Sequence, residues 1–445
     1  MTAAMPEGIY RPLLALMLAT LAANILLTAG FMLLRLPPVG PGLPVNEIAL
    51  GLGLGLLLLG GRGMAGLAEA PAFAPLYALW LLAGAHLLLD LPAHGIWAIR
   101  DAANILESGF FVIGFCLAAD PRFRAPFLTW LRLVLLAAAL QSLLYPVQPW
   151  LAALSPKVSG MSGYQAPIFF NFVNTSSIAV TAAAYVLLNR SWPLLVRAAF
   201  AGVVVMSLIV FVQARITYLQ LLVPLVLFAL FARRELGEMA LMGLLAFGFM
   251  ALFLLSGVEL PGRLGHTFSF EFLASHVRAI WGGGGAETRD AAAGVGLRLA
   301  WWLGIHERLA ETPARWFLGL GYGQPLTPFR GLSDDVVREP HNSYVSIYGR
   351  LGLLGIGLFL GFLAAVGVAV IRLIRRARRA GDRDLFVAAM TIACFLGVHL
   401  VYALGEGGME VSFIAVPVYF LAGAAAALAA RPSETGAPAP VPAAS

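Results

Sequence analysis

Charge is scarce in this chain. Of its 445 residues only 12% are Asp, Glu, Lys or Arg, against about 25% in soluble domains, which excludes a water-facing surface over most of the fold. Lysine is almost missing: Lys157 is the single lysine among 29 basic residues. Codon composition explains that bias simply, because Lys and Arg serve alike as topology signals and differ only as anion ligands. There are two cysteines, Cys116 and Cys394, both inside apolar runs, which argues against a disulfide framework or a thiol site. The period-two alternation of barrel strands is missing, and so are a Walker loop and a dinucleotide fingerprint. His266, His276 and His306 lack metal-ligand spacing. Asp334–Asp335, beside Arg330 and Arg338, reads as a salt-bridged loop ahead of a metal site. No cofactor and no metal are expected. The net charge of +6 fits cytoplasmic loops rather than nucleic-acid binding.

What is abundant is apolar sequence, 60% of the chain. The expected class is an all-α polytopic membrane protein. At roughly 20 residues per crossing, about twelve transmembrane helices are expected. They fall near 12–34, 44–60, 74–90, 103–119, 126–146, 167–189, 194–212, 216–232, 237–256, 344–372, 384–404 and 410–430. The chain then divides into N-terminal helices over 1–256, one long loop carrying short helices over 257–343, C-terminal helices over 344–430, and a disordered tail over 431–445. Arg11 precedes an apolar run without a cleavage site, so the first helix reads as uncleaved. Only Gln213-Ala214-Arg215 separates the seventh and eighth spans. One helix of about 39 residues would be about 58 Å long, far beyond the hydrocarbon core, so the chain must turn there.

Arginine sets the orientation. With the N-terminus inside, the inner loops hold Arg62, Arg122, Arg124, Arg190, Arg233, Arg234, the run from Arg372 to Arg383, and Arg431. The short outer loops hold chiefly Arg35, Arg100 and Lys157. This is a positive-inside pattern with both termini cytoplasmic. The Arg215 turn, the long loop and the 147–166 loop with Tyr164 and Gln165 then share the outer face. Within the long loop, 261–280 reads as a surface helix and Gly282–Gly285 as a flexible break. Residues 291–311 read as a helix with an apolar stripe at Leu297, Trp301, Ile305 and Leu309, ended by Pro313. GLGYGQPL, 319–326, is a Gly-rich turn.

Four places carry candidate chemistry. The first is Arg338–Gly352, REPHNSYVSIYGRLG. Pro340 favours a fresh start after it, and Asn342 or Ser343 caps the next helix. His341 at that helix mouth is placed as a general base where backbone N–H groups attract anions; the plainer reading is a capping segment at the interface. The second is Arg215, either a phosphate ligand or an arginine snorkelling to headgroups. The third is Arg298 beside Trp301 and Trp302, an anion clamp with aromatic walls or the basic face of an interfacial helix. The fourth is Arg350, which pairs with an acid such as Glu107, Glu406 or Glu410 or lines a wet cavity. Gly357 and Gly361 suit close helix packing, and His399 suits a helix–helix hydrogen bond.

The order of these elements resembles the O-antigen ligase/O-antigen polymerase superfamily of bacterial GT-C-like membrane glycosyltransferases. The matching features are Arg215, Arg298 to Trp302, Pro313 to Gly323 ending in GLGYG, His341-Asn342-Ser343-Tyr344, and Leu351-Gly352-Leu353-Leu354-Gly355. They cover about 200–360; before that only helix count and topology agree. The resemblance implies an inner-membrane enzyme working on its periplasmic face. The donor would be a glycan on undecaprenyl pyrophosphate, and the acceptor lipid A–core for a ligase or a second lipid-linked glycan for a polymerase. Transfer would be inverting and metal-independent. Arg215 and Arg298 would hold the pyrophosphate and His341 would activate the acceptor hydroxyl. Asn342, Trp301, Trp302, Tyr344 and Arg350 would bind substrate. The compact His-Asn motif and about twelve spans favour the ligase branch. Two departures stand out: Arg215 lies in QARITY rather than after serines, and Arg350 occupies a position often acidic in the family. A lipid-linked glycan transporter, or a scaffold using the Arg372–Arg383 run, are the readings from other classes.

Overall fold

With no water to satisfy their backbone, apolar segments must close their hydrogen bonds internally, and helices do so within one stretch of chain. The computed structural model describes residues 4–37, 42–60, 66–159, 165–171, 175–256, 269, 271, 274, 289–327 and 337–431. In chain order its main helices are α1 (Glu7–Leu27), α2 (Val45–Gly60), α3 (Phe73–His94), α4 (Ala103–Ala119), α5 (Pro121–Ser142), α6 (Ser176–Leu188), α7 (Leu194–Val212), α8 (Arg215–Phe231), α9 (Arg233–Leu252), α10 (Arg289–Ala310), α11 (Pro313–Leu318), α12 (Ser343–Arg379), α13 (Arg383–Gly405) and α14 (Ser412–Ala430). Among the described residues, eight of these are long and apolar enough to cross a membrane. Helices α2, α4, α6 and α8 are apolar but shorter, and lie over the other four expected positions. The 261–280 stretch lies almost wholly outside the described residues. So do Gly282–Gly285, Asp334–Asp335, Arg330, His266, His276, Arg62, Tyr164 and residues 432–445.

Two short antiparallel strand pairs depart from the all-helical expectation. Arg35–Leu36 pairs with Leu43–Pro44, and Lys157–Ser159 with Gln165–Pro167. The second pair takes Pro167, the first residue expected in the sixth span, whose helix begins only at Ser176. Pro167 has no N–H to give a helix, and Phe170 adopts a positive φ of 56°, so the chain cannot continue helically through this point.

Helices α13 and α14 form the centre: 72% and 89% of their spans are buried, against 17% for α3. The closest packing is between α4 and α14. A Cβ on Gly114 would sit 2.2 Å from the Phe420 carbonyl oxygen, and one on Gly423 2.0 Å from that of Phe111. The expected Gly357–Gly361 step does not pack this way, since a Cβ at Gly357 would meet nothing within 4 Å. Close approach needs glycine where the facing backbone is near, and the sequence spacing alone did not locate the partner helix. His399 also differs from expectation. Its Nδ1 hydrogen-bonds the Phe395 carbonyl of its own helix at 2.7 Å rather than a neighbouring helix.

One end of the bundle is prepared for polar groups. Helices α3 and α13 end there and α8 and α12 begin there, as the contacts among Asp90, Tyr322, Gln220 and Val398 require. Helix α12 is broken at Gly352, with φ 65° and ψ −162°. The break frees the carbonyls of Gly349 and Arg350. The Gly-rich turn supplies their donors: Leu320 N–H bonds Gly349 at 2.8 Å and Gly321 N–H bonds Arg350 at 3.0 Å. A Cβ on Gly352 would lie 2.4 Å from the Phe317 carbonyl oxygen, so both the left-handed φ and the contact demand glycine.

Candidate functional site

Pro340 stops the incoming chain, and Asn342 starts α12. The Asn342 side-chain oxygen accepts from Tyr344 N–H at 3.0 Å and Val345 N–H at 3.1 Å. Its amide donates to the Leu404 carbonyl at 2.9 Å, which ties the start of α12 to the end of α13. His341, just outside the cap, has φ 52°, a left-handed conformation that costs a non-glycine residue about 1–3 kcal/mol and must be held by its surroundings.

Glu406 supplies that hold. It follows the last turn of α13, and its two oxygens face two different donors, an imidazole and a guanidinium. Oε2 lies 3.1 Å from His341 Nδ1. Oε1 lies 2.9 Å from Arg298 Nη2, while Arg298 Nη1 donates to the Gly405 carbonyl at 2.5 Å. Burial works to raise the Glu406 carboxyl, but the His341 hydrogen bond and the neighbouring Arg298 guanidinium outweigh it and hold the group below the usual carboxylate range. An ionised carboxylate only accepts, so the His341 proton belongs on Nδ1 and Nε2 carries the free lone pair. The side chains of His341, Arg298 and Glu406 are 41%, 33% and 31% exposed, open enough to meet a substrate.

Helix α10 brings the aromatic wall. Its expected stripe is largely borne out: Trp301, Ile305 and Leu309 are buried, and Ile305 and Leu309 pack with Leu326, Leu320, Val345 and Tyr348. Leu297 is exposed. Trp301 stacks on the His341 ring, with centroids 6.0 Å apart and planes 25° apart. Trp302 Nε1 donates to the Pro340 carbonyl at 2.9 Å. His341 is thereby fixed by a carboxylate below and an indole at its face.

Arg215 approaches from another direction. Helix α7 ends in a wide turn over Leu208–Val212, Gln213 takes a left-handed conformation and Ala214 is extended. The expected reversal therefore occurs at Gln213–Ala214, leaving Arg215 as the first residue of α8. The start of α8 abuts the end of α13, where a Cβ on Gly405 would sit 3.3 Å from Ile216 Cδ1. Among the described residues the Arg215 guanidinium has no hydrogen-bond or ion-pair partner, and it lies within electrostatic reach of Arg298. A second guanidinium near the Arg298–Glu406 pair leaves positive charge uncompensated, which suits an anion of more than one charge.

Arg350, Asn342 and Tyr344 stand behind this cluster rather than in it. Arg350 is 3% exposed and pairs with Asp101 Oδ2 at 3.0 Å and Glu339 Oε1 at 3.0 Å. The expected partners Glu107, Glu406 and Glu410 are not the ones it meets; the kink at Gly352 turns it toward the Gly-rich turn, where it also donates to Gln324. Arg338 joins Asp101 at 2.7 Å and lies over the Trp97 ring at 4.5 Å. Tyr344 donates to the Leu400 carbonyl at 3.1 Å. Glu410 accepts from Ser343 at 2.6 Å; burial, then the charge of Glu339, raises its carboxyl above the ordinary range. A closed space of about 10 Å³ beside Arg350, Tyr322 and Glu410 has room for about one water molecule.

The sequence therefore singled out His341, Arg298, Trp301, Trp302 and Arg215, and the fold brings them to one end of the bundle. It missed Glu406 as a site residue. The available signal was an acid in the Leu404-Gly405-Glu406-Gly407-Gly408 stretch, a glycine-flanked carboxylate between two spans. Among the described residues no group of three or more His, Cys, Asp and Glu side chains is arranged to hold a metal. No family model matches the chain, and no curated protein sequence matches it.

Proposed function

We propose that this chain is a membrane glycosyltransferase that moves a glycan from undecaprenyl pyrophosphate to an acceptor hydroxyl, with lipid A–core as the acceptor. In this reading all twelve apolar helices cross the inner membrane, both termini are cytoplasmic, and the His341 end faces the periplasm. The observation that carries the reading is the convergence of His341, held through Nδ1 by Glu406, with the guanidiniums of Arg298 and Arg215 at the end of a membrane bundle.

The chemistry follows from that placement. The His341 Nε2 lone pair takes the acceptor proton as the hydroxyl attacks the sugar carbon. The bond from that carbon to the pyrophosphate oxygen breaks, and negative charge builds on the leaving group. Arg215 and Arg298 stabilise that charge more in the transition state than in the ground state. The donor is a lipid, so it enters sideways from the bilayer, and helix ends are where such a headgroup is reachable. The polar residues buried within spans, such as Asn24 with Asn46 and Gln220 with Ser177, bond one another at 2.8 and 2.6 Å. That pattern favours helix pairing over a transport path.

Two substitutions report on the parts. Arg215→Ala should lower transfer about 100- to 1,000-fold, the usual loss when one preplaced donor is removed from developing charge. Arg215→Lys should keep part of it, because charge remains but the fork does not. Glu406→Gln should lower transfer about 10- to 100-fold, since a hydrogen bond to a charged group contributes about 1.5–3 kcal/mol. Initial rates of reconstituted protein measure both. The acceptor is tested by offering undecaprenyl-pyrophosphate glycan with lipid A–core or with a second lipid-linked repeat. Product on core supports ligase activity; longer lipid-linked chains alone make the protein a polymerase; movement of intact donor without transfer makes it a transporter.

A further inference from the structure

The opposite end of the bundle carries a second charged site that transfer does not use. Three turns meet there: the end of α6, the α8–α9 junction and the α12–α13 junction. They enclose a cavity of about 690 Å³ lined by five arginines and only two carboxylates. Both carboxylates are already engaged. Glu235, 4% exposed, accepts from Arg190 at 3.0 Å and Arg383 at 3.3 Å. Asp382 is bonded by Arg124 at 2.6 Å. Arg234 and Arg378 are exposed on the cavity rim and have no hydrogen-bonding or ion-pair partner for their side chains among the described residues. Arg383 Nε is buried without an acceptor, although Arg383 Nη2 reaches the Leu188 carbonyl at 2.7 Å.

The walls are not uniformly polar. Phe386 lies under the Arg383 guanidinium, 5.4 Å from its ring centre. Leu230 is 60% exposed beside the cavity. An arginine cage with an aliphatic and aromatic side, opening at the end of a membrane bundle, matches a ligand that is anionic at its head and apolar behind it. A soluble phosphate would use the arginines and leave the apolar wall unused.

We infer that the cavity between the α8–α9 and α12–α13 turns is a binding site for the phosphate headgroup of an anionic membrane lipid, with room and charge for two phosphates. Arg234 and Arg378 contact the phosphates directly, and the Glu235-braced Arg190 and Arg383 form the fixed wall. The lipid staples three helix junctions that Glu235 and the Arg383–Leu188 hydrogen bond already tie together. This site is separate from the His341 cluster, since α12 and α13 run their full length between the two.

The test uses the full chain in neutral detergent, titrated with diphosphatidylglycerol, with retained lipid counted by native mass spectrometry. The variant Arg234→Gln/Arg378→Gln removes two exposed, unpaired cations and breaks no ion pair. Its affinity should fall about tenfold or more, as expected for two basic groups near an anionic headgroup. The control Arg372→Gln/Arg375→Gln removes two exposed charges from the same helix outside the cavity and should change affinity by less than about threefold. Equal loss in both variants would mean diffuse surface attraction and overturn the site, and so would unchanged affinity in the first. Displacement of the lipid by inorganic pyrophosphate at equal concentration would assign the cavity to a free anion and overturn the lipid.

Discussion

His341→Ala should reduce glycan transfer by about 100- to 10,000-fold, the range a positioned general base contributes, while the protein remains in the membrane at wild-type levels. The second half of that statement is as important as the first. His341 is held by Glu406 at 3.1 Å and by stacking on Trp301, but it fills no core position. Its φ of 52° is a left-handed conformation whose cost alanine, which keeps its Cβ, does not relieve. Stability should be unchanged or slightly lowered. His341→Gln keeps a hydrogen-bond donor for Glu406 but offers no base, and should be as inactive as alanine. If glutamine restored activity, His341 would be an orienting group and the base would lie elsewhere. Rates with saturating donor and acceptor, alongside thermal unfolding of the same preparations, separate these outcomes.

Arg350→Met should act in the opposite way, costing stability first. Arg350 and Asp101 have side chains only 4% and 2% exposed, and Glu339 joins them at 3.0 Å. Removing one partner of a buried ion pair leaves charge without compensation and typically costs about 3–5 kcal/mol. Arg338 remains on Asp101 at 2.7 Å, so Glu339 bears most of the loss. Glu339 is two residues before His341, and its Oε2 accepts from Ser346 at 2.8 Å. Disturbing it loosens the loop that carries His341. Thermal unfolding in detergent should show a lower midpoint, and the surviving folded fraction should retain transfer activity. Unchanged stability with lost transfer would instead make Arg350 a substrate ligand.

Much of this architecture was readable from the chain because two patterns are strong. Apolar runs marked the main helices among the described residues outside the long loop, and a turn between the seventh and eighth runs followed from length alone. The stripe on α10 also survived, since Trp301, Ile305 and Leu309 recur at helical spacing and are buried. What failed depended on partners distant in sequence. Arg350 finds Asp101, 249 positions earlier in the chain, because the helix breaks at Gly352 and the Gly-rich turn docks there. The packing glycines are Gly114 and Gly423, which have no shared motif. Glu406 lies 65 positions from His341, on a different helix end. Local periodicity places residues on faces but does not say which faces meet.

The most direct measurement is transfer by the purified protein in nanodiscs, given undecaprenyl-pyrophosphate glycan and lipid A–core. The product is resolved by mass, and undecaprenyl pyrophosphate release is followed in the same sample. The account predicts glycan on the core, stoichiometric release of undecaprenyl pyrophosphate, and loss of both in His341→Ala. Wild-type protein that leaves the donor intact in the presence of either acceptor, or His341→Ala that transfers at the wild-type rate, would contradict it.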